Sequence, residues 1–424
     1  MRHFSQLVFV AIACAACSPP VPAAPWSWAT VAPLPDELKA RAPGNNAFAF
    51  DLFAKVRLQK GNLALSPFNV ASTLTLAWAG ARGETAAQIQ KVLHLDVDGV
   101  IDPVSTAGQL TAAYRAPALQ VTTRFANVLF TERDRVDLYK NPYLHRLGSA
   151  FHEPVVPESM GGTWRPLETT REVLNTWIAD ATQDQIQDLF APGSVDQDTH
   201  FVLAGASYFH CDWMWFSERP PRRLPFHVSA SETKYVHTPN SAGHYRYAAT
   251  DGVKLLELPY ESGGLTMTVV LPDQIDGLEA VEARLSSATF DTWTSKLVRH
   301  SYVHIELTPF EIDPASSLRL DEPLKALGMP IAFDRAKADF SGVTRPKTYY
   351  VEPFYLNGVF HKVRIKLDAK HPEGPTWQYS NVDTTISADP IMRFDAMHPY
   401  LFFIRDVRSG MILFMGRVTD PTTK

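Results

Sequence analysis

The spacing of apolar residues changes character along this chain, and that change limits the fold more than any other feature. Ala49, Leu52, Phe53 and Val56 recur at i, i+3, i+4 and i+7, which makes one apolar helical face. Ser66-Pro67 reads as an N-cap followed by proline in the first turn; Val70, Leu74, Ala77 and Trp78 continue that helix's buried face. After Gly80 and Gly83, Thr85 and Gln88 are spaced as a capping box for a helix burying Ile89, Val92 and Leu93. The later part reads as strands. Leu265 to Leu271 is an apolar run closed by Pro272, and Val303, Ile305 and Leu307 alternate with polar residues. Leu401–Ile404 and Met411–Met415 flank Arg408-Ser409-Gly410, a hairpin signal. Helices first and strands later predict an α+β fold with antiparallel sheets.

The N-terminus carries an address. Arg2 precedes an apolar stretch, Leu7 to Ala16, too short to span a bilayer. Small residues before Cys17 resemble a bacterial lipobox, with Cys17 as lipid anchor and Cys14 as the alternative; a plain signal peptide is the other reading. Each predicts export, to the cell envelope (outer membrane or periplasm) or the exterior. Ser18 rather than Asp after the lipid cysteine resembles outer-membrane sorting. With Cys17 acylated, Cys211 alone remains and no internal disulfide can form. Residues 18–44 are rich in Pro and Ala and predict a stiff spacer, with Trp26 and Trp28 free to dock on the body or on lipid. The expected organisation is a leader over 1–17, a linker over 18–44 and one domain over 45–424. A net charge of −5 and the lack of any Lys/Arg run with interleaved aromatics exclude a nucleic-acid partner.

Several segments together resemble the serpin family. They are Asn62 to Asn69, Gly80 to His94, Tyr208-Phe209 with Trp213, and Leu255 to Tyr260. Leu324 to Met329 follows, then Ala338 to Gly342, Phe360-His361-Lys362, Phe394 with His398-Pro399-Tyr400, and Leu413 to Gly416. They occur in family order across residues 45 to 421. The resemblance implies one α+β domain of three β-sheets and about nine helices, with an exposed reactive loop near the C-terminus. It implies a monomeric serine-endopeptidase inhibitor rather than an enzyme, without cofactor or metal. In such inhibitors the protease cuts the loop and is held as an acyl-enzyme while the loop inserts into the central sheet.

On this resemblance the loop lies between Lys362 and Phe394. Family inhibitors carry a hinge of Glu-Glu-Gly-Thr followed by Glu and a run of alanines. Here the stretch is Ala369-Lys-His371-Pro372-Glu-Gly374-Pro375-Thr-Trp377-Gln-Tyr379. Counting without gaps puts Pro372 at the first residue to insert and Thr385-Ile386 at the scissile bond. Aligning Gly374 with the family glycine puts Pro375 there instead, and Ala388-Asp389 at the bond. Proline removes a ladder donor and leaves a buried acceptor unpaired, at about 1–3 kcal/mol. Trapping races deacylation, so two prolines felt at the barrier slow insertion by roughly two to four orders of magnitude. Poor or absent trapping is expected, unless a third register or an insertion leaves the prolines outside the sheet. The alternative function is a non-inhibitory serpin, a binding protein or a protease substrate. No Lys or Arg occurs from His371 to Met392, so elastase-, subtilisin- or chymotrypsin-like proteases fit better than trypsin-like ones.

Beneath the sheet opening the family places Ser where this chain has Asn69, and Asn where it has Gly205. Ser66, Asn69 and His361 are the expected polar cluster, with Ser66 or Asn69 as His361's partner; Trp213 is a packing residue at the top of the sheet. Cys211 reads as a small buried apolar residue, with a weak site shared with His210 and Asp212 as the alternative. Ser231-Glu-Thr-Lys234 matches Ser-x-x-Lys, but no Lys-Thr-Gly follows and the segment alternates like a strand.

Overall fold

Ser66 and Pro67 start a helix for the reason their chemistry gives. The Ser66 hydroxyl accepts from the Asn69 N–H at 3.3 Å, and Pro67 occupies the first turn, where its missing N–H leaves nothing unpaired. The computed structural model describes residues 31–96, 102–116, 119, 121–132, 141–151, 155–158, 167–196, 199, 201–213, 221–260, 263–343, 354–369 and 391–424.

The helices in chain order are α1 (Asp36–Lys39), α2 (Ala42–Val56), α3 (Pro67–Gly80), α4 (Gly83–Val92), α5 (Pro103–Tyr114), α6 (Asn141–Ala150), α7 (Leu167–Thr182), α8 (Leu278–Ala283), α9 (Ser287–Ser295) and α10 (Asp321–Leu327). The strands are β1 (Leu63–Leu65), β2 (Thr122–Glu132), β3 (Val155–Glu158), β4 (Phe201–Trp213), β5 (Arg222–His227), β6 (Thr233–Thr238), β7 (Asn240–Thr250) and β8 (Val253–Pro259). There follow β9 (Leu265–Pro272), β10 (Val298–Leu307), β11 (Phe310–Ile312), β12 (Leu318–Arg319), β13 (Gly358–Ala369), β14 (Met392–Ala396), β15 (Tyr400–Asp406) and β16 (Ile412–Val418).

Three sheets result among the described residues, as expected. The central one runs β11-β13-β4-β2-β3, with β12 also on β13; the largest runs β1-β16-β15-β9-β8-β7-β10-β14; β5 and β6 form a pair of their own. Most neighbours are antiparallel, and the hairpin joining β15 and β16 turns at Gly410, whose φ of 74° suits glycine. Parallel pairs were not anticipated, yet β4–β13, β2–β3 and β10–β14 are parallel. Each joins strands separated by a crossover rather than a tight turn, and local periodicity carries no trace of such a connection.

Apolar packing occurs on both faces of the central sheet. Phe68, Phe125, Phe209 and Phe414 share a cluster on its inner face. On its outer face Val128, Phe130, Val202, Ala204, Ala206 and Phe360 pack under Leu174 and Ile178 of α7. A further cluster gathers Phe48, Leu52, Leu74, Trp293 and Phe403 between the helices and the largest sheet.

Two local expectations need correction. The spacer does not run to residue 44: Leu34, Leu38 and Ala42 are buried in the core, and α2 already begins at Ala42. Thr85 and Gln88 form no capping box, because α4 starts earlier, at Gly83, with no side-chain cap. Both side chains instead accept long-range bonds: Thr85 Oγ1 from the Asp339 N–H at 2.9 Å, and Gln88 Oε1 from the Ile331 N–H at 3.2 Å. Cys14, Cys17, Trp26 and Trp28 lie outside the described residues.

Candidate functional site

Strands β4 and β13 lie side by side at the centre of their sheet. Their parallel register is unbroken from Gly358 opposite Val202 to Ala369 opposite Trp213. The strand pair is therefore closed along its whole length. Alternation points Leu203, Gly205 and Ser207 of β4 inward and Val202, Ala204 and Ala206 outward, under α7.

Beneath the pair, three elements meet at His361, which is fully buried. Its Nε2 accepts from the Ser66 backbone N–H at 3.0 Å, and its Nδ1–H donates to the Gly205 carbonyl at 3.0 Å. The ring thus ties β13 to β4 and to the first turn of α3. Burial pushes its pKa down to about 4, against a smaller opposing effect of the Gly205 bond, so the ring is neutral. The expected partner was Ser66 or Asn69. Ser66 it is, through the main chain, because its hydroxyl is committed elsewhere: Oγ donates to the Leu413 carbonyl at 2.8 Å while capping α3.

Asn69 extends the cluster towards β2. Its Nδ2 donates to the Ala126 carbonyl at 3.2 Å and to Asn127 Oδ1 at 2.8 Å; Thr73 Oγ1 donates to the same Asn127 oxygen at 2.8 Å. Asn69 Oδ1, Asn127 Nδ2 and Ser207 Oγ are buried without a hydrogen-bond partner among the described residues. Gly205 is what makes room. A Cβ there would stand 2.6 Å from Asn69 Oδ1 and 3.0 Å from Thr73 Oγ1. Sequence reasoning missed Asn127 and Thr73. The available signal was one amide inside the apolar run Phe125 to Phe130.

The other anticipated residues fall into four groups. His371, Pro372, Gly374, Pro375, Thr385, Ile386, Ala388 and Asp389 lie outside the described residues. Trp213 ends β4 opposite Ala369, as far as its backbone is concerned. Cys211 is buried in the core, whereas His210 on the opposite face stands 3.4 Å from Asp368 Oδ2. Neighbouring residues on a strand face opposite ways, so His210 and Cys211 cannot share a site. In the Ser-x-x-Lys match, Lys234 lies on β6 and pairs with Asp420, while Ser231 Oγ contacts Ser229 Oγ at 3.3 Å. No helix carries that serine, so the constellation needed for nucleophilic attack is not formed.

A model of the family described as serpin (serine protease inhibitor) matches residues 43–421. The chain is a serpin. Among curated relatives, leukocyte elastase inhibitors of Xenopus tropicalis and Equus caballus are each 30% identical over 393 residues. The first alignment covers 88% of this serpin and 97% of the relative, the second 89% and 98%. Among solved structures, uncleaved ovalbumin superposes with a TM-score of 0.77 at 24% identity, covering 91% of this chain and 100% of its own, which speaks for the fold. Serpin48, described as a highly specific serpin of the insect Tenebrio molitor, gives 0.72 at 26% identity, covering 91% and 98%.

Proposed function

We propose that this serpin meets serine proteases through the segment linking β13 to β14, and that it is cut there faster than it can trap. The closed parallel pair β4–β13 is the observation that carries the reading. A segment leaving β13 at Ala369 and folding back over the sheet runs antiparallel to both strands. Inserted between them, it exchanges one parallel ladder for two antiparallel ones, a net gain of backbone pairing. That gain is the driving force for insertion once the segment is cut. The barrier is the separation of β4 from β13, which breaks the His361 bond to Gly205 and disturbs the packing beneath α7.

Pro372 or Pro375 then meets the ladder first. Each proline withholds a donor, and roughly two to four orders of magnitude in rate are lost if both act at the barrier. Deacylation wins that race. The leukocyte elastase inhibitors among its relatives support an elastase-like partner, as do Thr385-Ile386 and Ala388-Asp389 as candidate bonds.

The experiment is incubation of the protein with elastase, chymotrypsin and subtilisin, followed by denaturing electrophoresis, mass spectrometry of the nick and a melting curve. The expected result is cleavage within 371–391 with little covalent complex, and a complex that increases when both prolines are replaced by alanine. A rapid, stoichiometric SDS-stable complex of the wild-type protein overturns slow insertion. Resistance to all three proteases overturns the protease-facing role and favours a binding protein.

A further inference from the structure

We propose that His304, Glu306 and Asp395 bind a zinc ion that clips β14 to β10. The parallel register sets Glu306 beside Asp395 and His304 beside Arg393, and alternation sends these side chains to one face of the strand pair. One ligand atom from each of His304, Glu306 and Asp395 lies within 4.8 Å of the others. Small rotations bring such a set onto one ion at zinc–ligand distances of about 2.0–2.2 Å. A second observation concerns the imidazole. His304 Nδ1 is sealed from solvent, has no hydrogen-bond partner among the described residues, and stands 3.8 Å from Asp395 Oδ1. Buried polar atoms are ordinarily satisfied, and a cation between these groups supplies the partner.

The donor set selects the ion. One imidazole nitrogen and two carboxylates, with a water completing the tetrahedron, suit zinc. Calcium takes about six to eight oxygen ligands, which this set does not offer. Two arginines neutralise the carboxylates meanwhile: Arg222 pairs with Glu306, and Arg393 Nε lies 3.1 Å from Asp395 Oδ2. Their side chains are 56% and 59% exposed, so each swings into water at little cost when a divalent ion takes its place.

Placement gives the clip its consequence. β14 is an edge strand that pairs only with β10 among the described residues, and it is the first element after the segment 370–391. A metal bond across β10 and β14 fixes the far anchor of that segment. The inference stands on this geometry and not on any protease activity.

The test is titration of the chelator-treated full chain with zinc chloride, followed by calorimetry, a melting curve and amide exchange. Expected are one zinc per chain, a raised Tm, and slower exchange at 392–396 with zinc than without. Calcium chloride has no such effect. Asp395→Asn and His304→Gln each weaken binding by at least the roughly 10–100-fold that loss of a ligand's outer hydrogen-bond partner costs. Binding that survives either substitution, or that leaves exchange at 392–396 unchanged, overturns the clip, as does no binding at all. Should a variant misfold, exchange in the wild-type protein with and without zinc still decides.

Discussion

Gly205 and Asn69 occupy one side-chain volume from two sides. The amide of Asn69 reaches from α3 under β4, to the point where any side chain on residue 205 would begin. The family resemblance places an amide on the strand and a serine on the helix; in this chain the amide stands on the helix and the strand position carries no side chain. Gly205→Ala is expected to destabilise by about 1–3 kcal/mol through overpacking against Asn69 and Thr73. Asn69→Ser also destabilises, because the Ala126 carbonyl and Asn127 Oδ1 both lose the Asn69 amide, leaving Asn127 Oδ1 with Thr73 Oγ1 alone of its two side-chain donors. The double variant Asn69→Ser with Gly205→Asn recovers much of the combined loss. Denaturant melts of the four proteins measure the coupling, and additive losses within about 0.5 kcal/mol would show that the sites are independent. Each departure was legible in the sequence alone. Their complementarity was not, since nothing in one dimension sets a helix residue against a strand residue so far along the chain.

At the scale of elements, β4, β13 and α3 are joined through one neutral imidazole. His361 titrates at about 4 in the folded protein, below its ordinary value of 6.5. Between those values the unfolded chain takes up the proton first. This group's contribution to stability is therefore complete above pH 6.5 and is lost as pH falls towards 4, on the order of 1 kcal/mol per pH unit. Protonation also turns Nε2 from acceptor to donor, which opposes the Ser66 N–H and loosens the strand pair at the place where the proposed insertion would begin to part it. Melting curves from pH 7.5 to 4.5 are expected to fall steeply for the wild-type protein and less steeply for His361→Asn. Parallel slopes would remove His361 from the account. The sequence left Ser66 and Asn69 open as partners and named no atom: an N-cap serine has its hydroxyl engaged already, which leaves its main-chain N–H to donate. The order of elements was legible because recurrent motifs run along nearly the whole body. The parallel neighbours were not, because strand partnership is set by crossovers.

For the whole molecule, the boundary of the folded body decides what can be purified and assayed. Average composition made residues 18–44 look like a spacer, yet packing depends on single residues, and this stretch contains several that the body needs. Leu34 and Leu38 are 6% and 4% exposed, beside Tyr114 and Leu119 in the same cluster. Arg41 is also buried. Its guanidinium donates to the Leu93 carbonyl at 2.8 Å and to the His94 carbonyl at 3.2 Å, closing the C-terminal end of α4, and burial lowers its pKa to about 10. Arg408 in turn donates to the Ala32 carbonyl at 3.1 Å. Burying two leucines contributes about 3–6 kcal/mol and the hydrogen bonds about 1 kcal/mol each. That sum is comparable with the whole stability of a typical domain. A chain begun at residue 45 is therefore expected to melt far below one begun at residue 31, or to aggregate on expression, whereas the longer form folds. Thermal melts of the two forms at equal concentration test this. Equal midpoints would mean that residues 31–44 lie on the body without holding it.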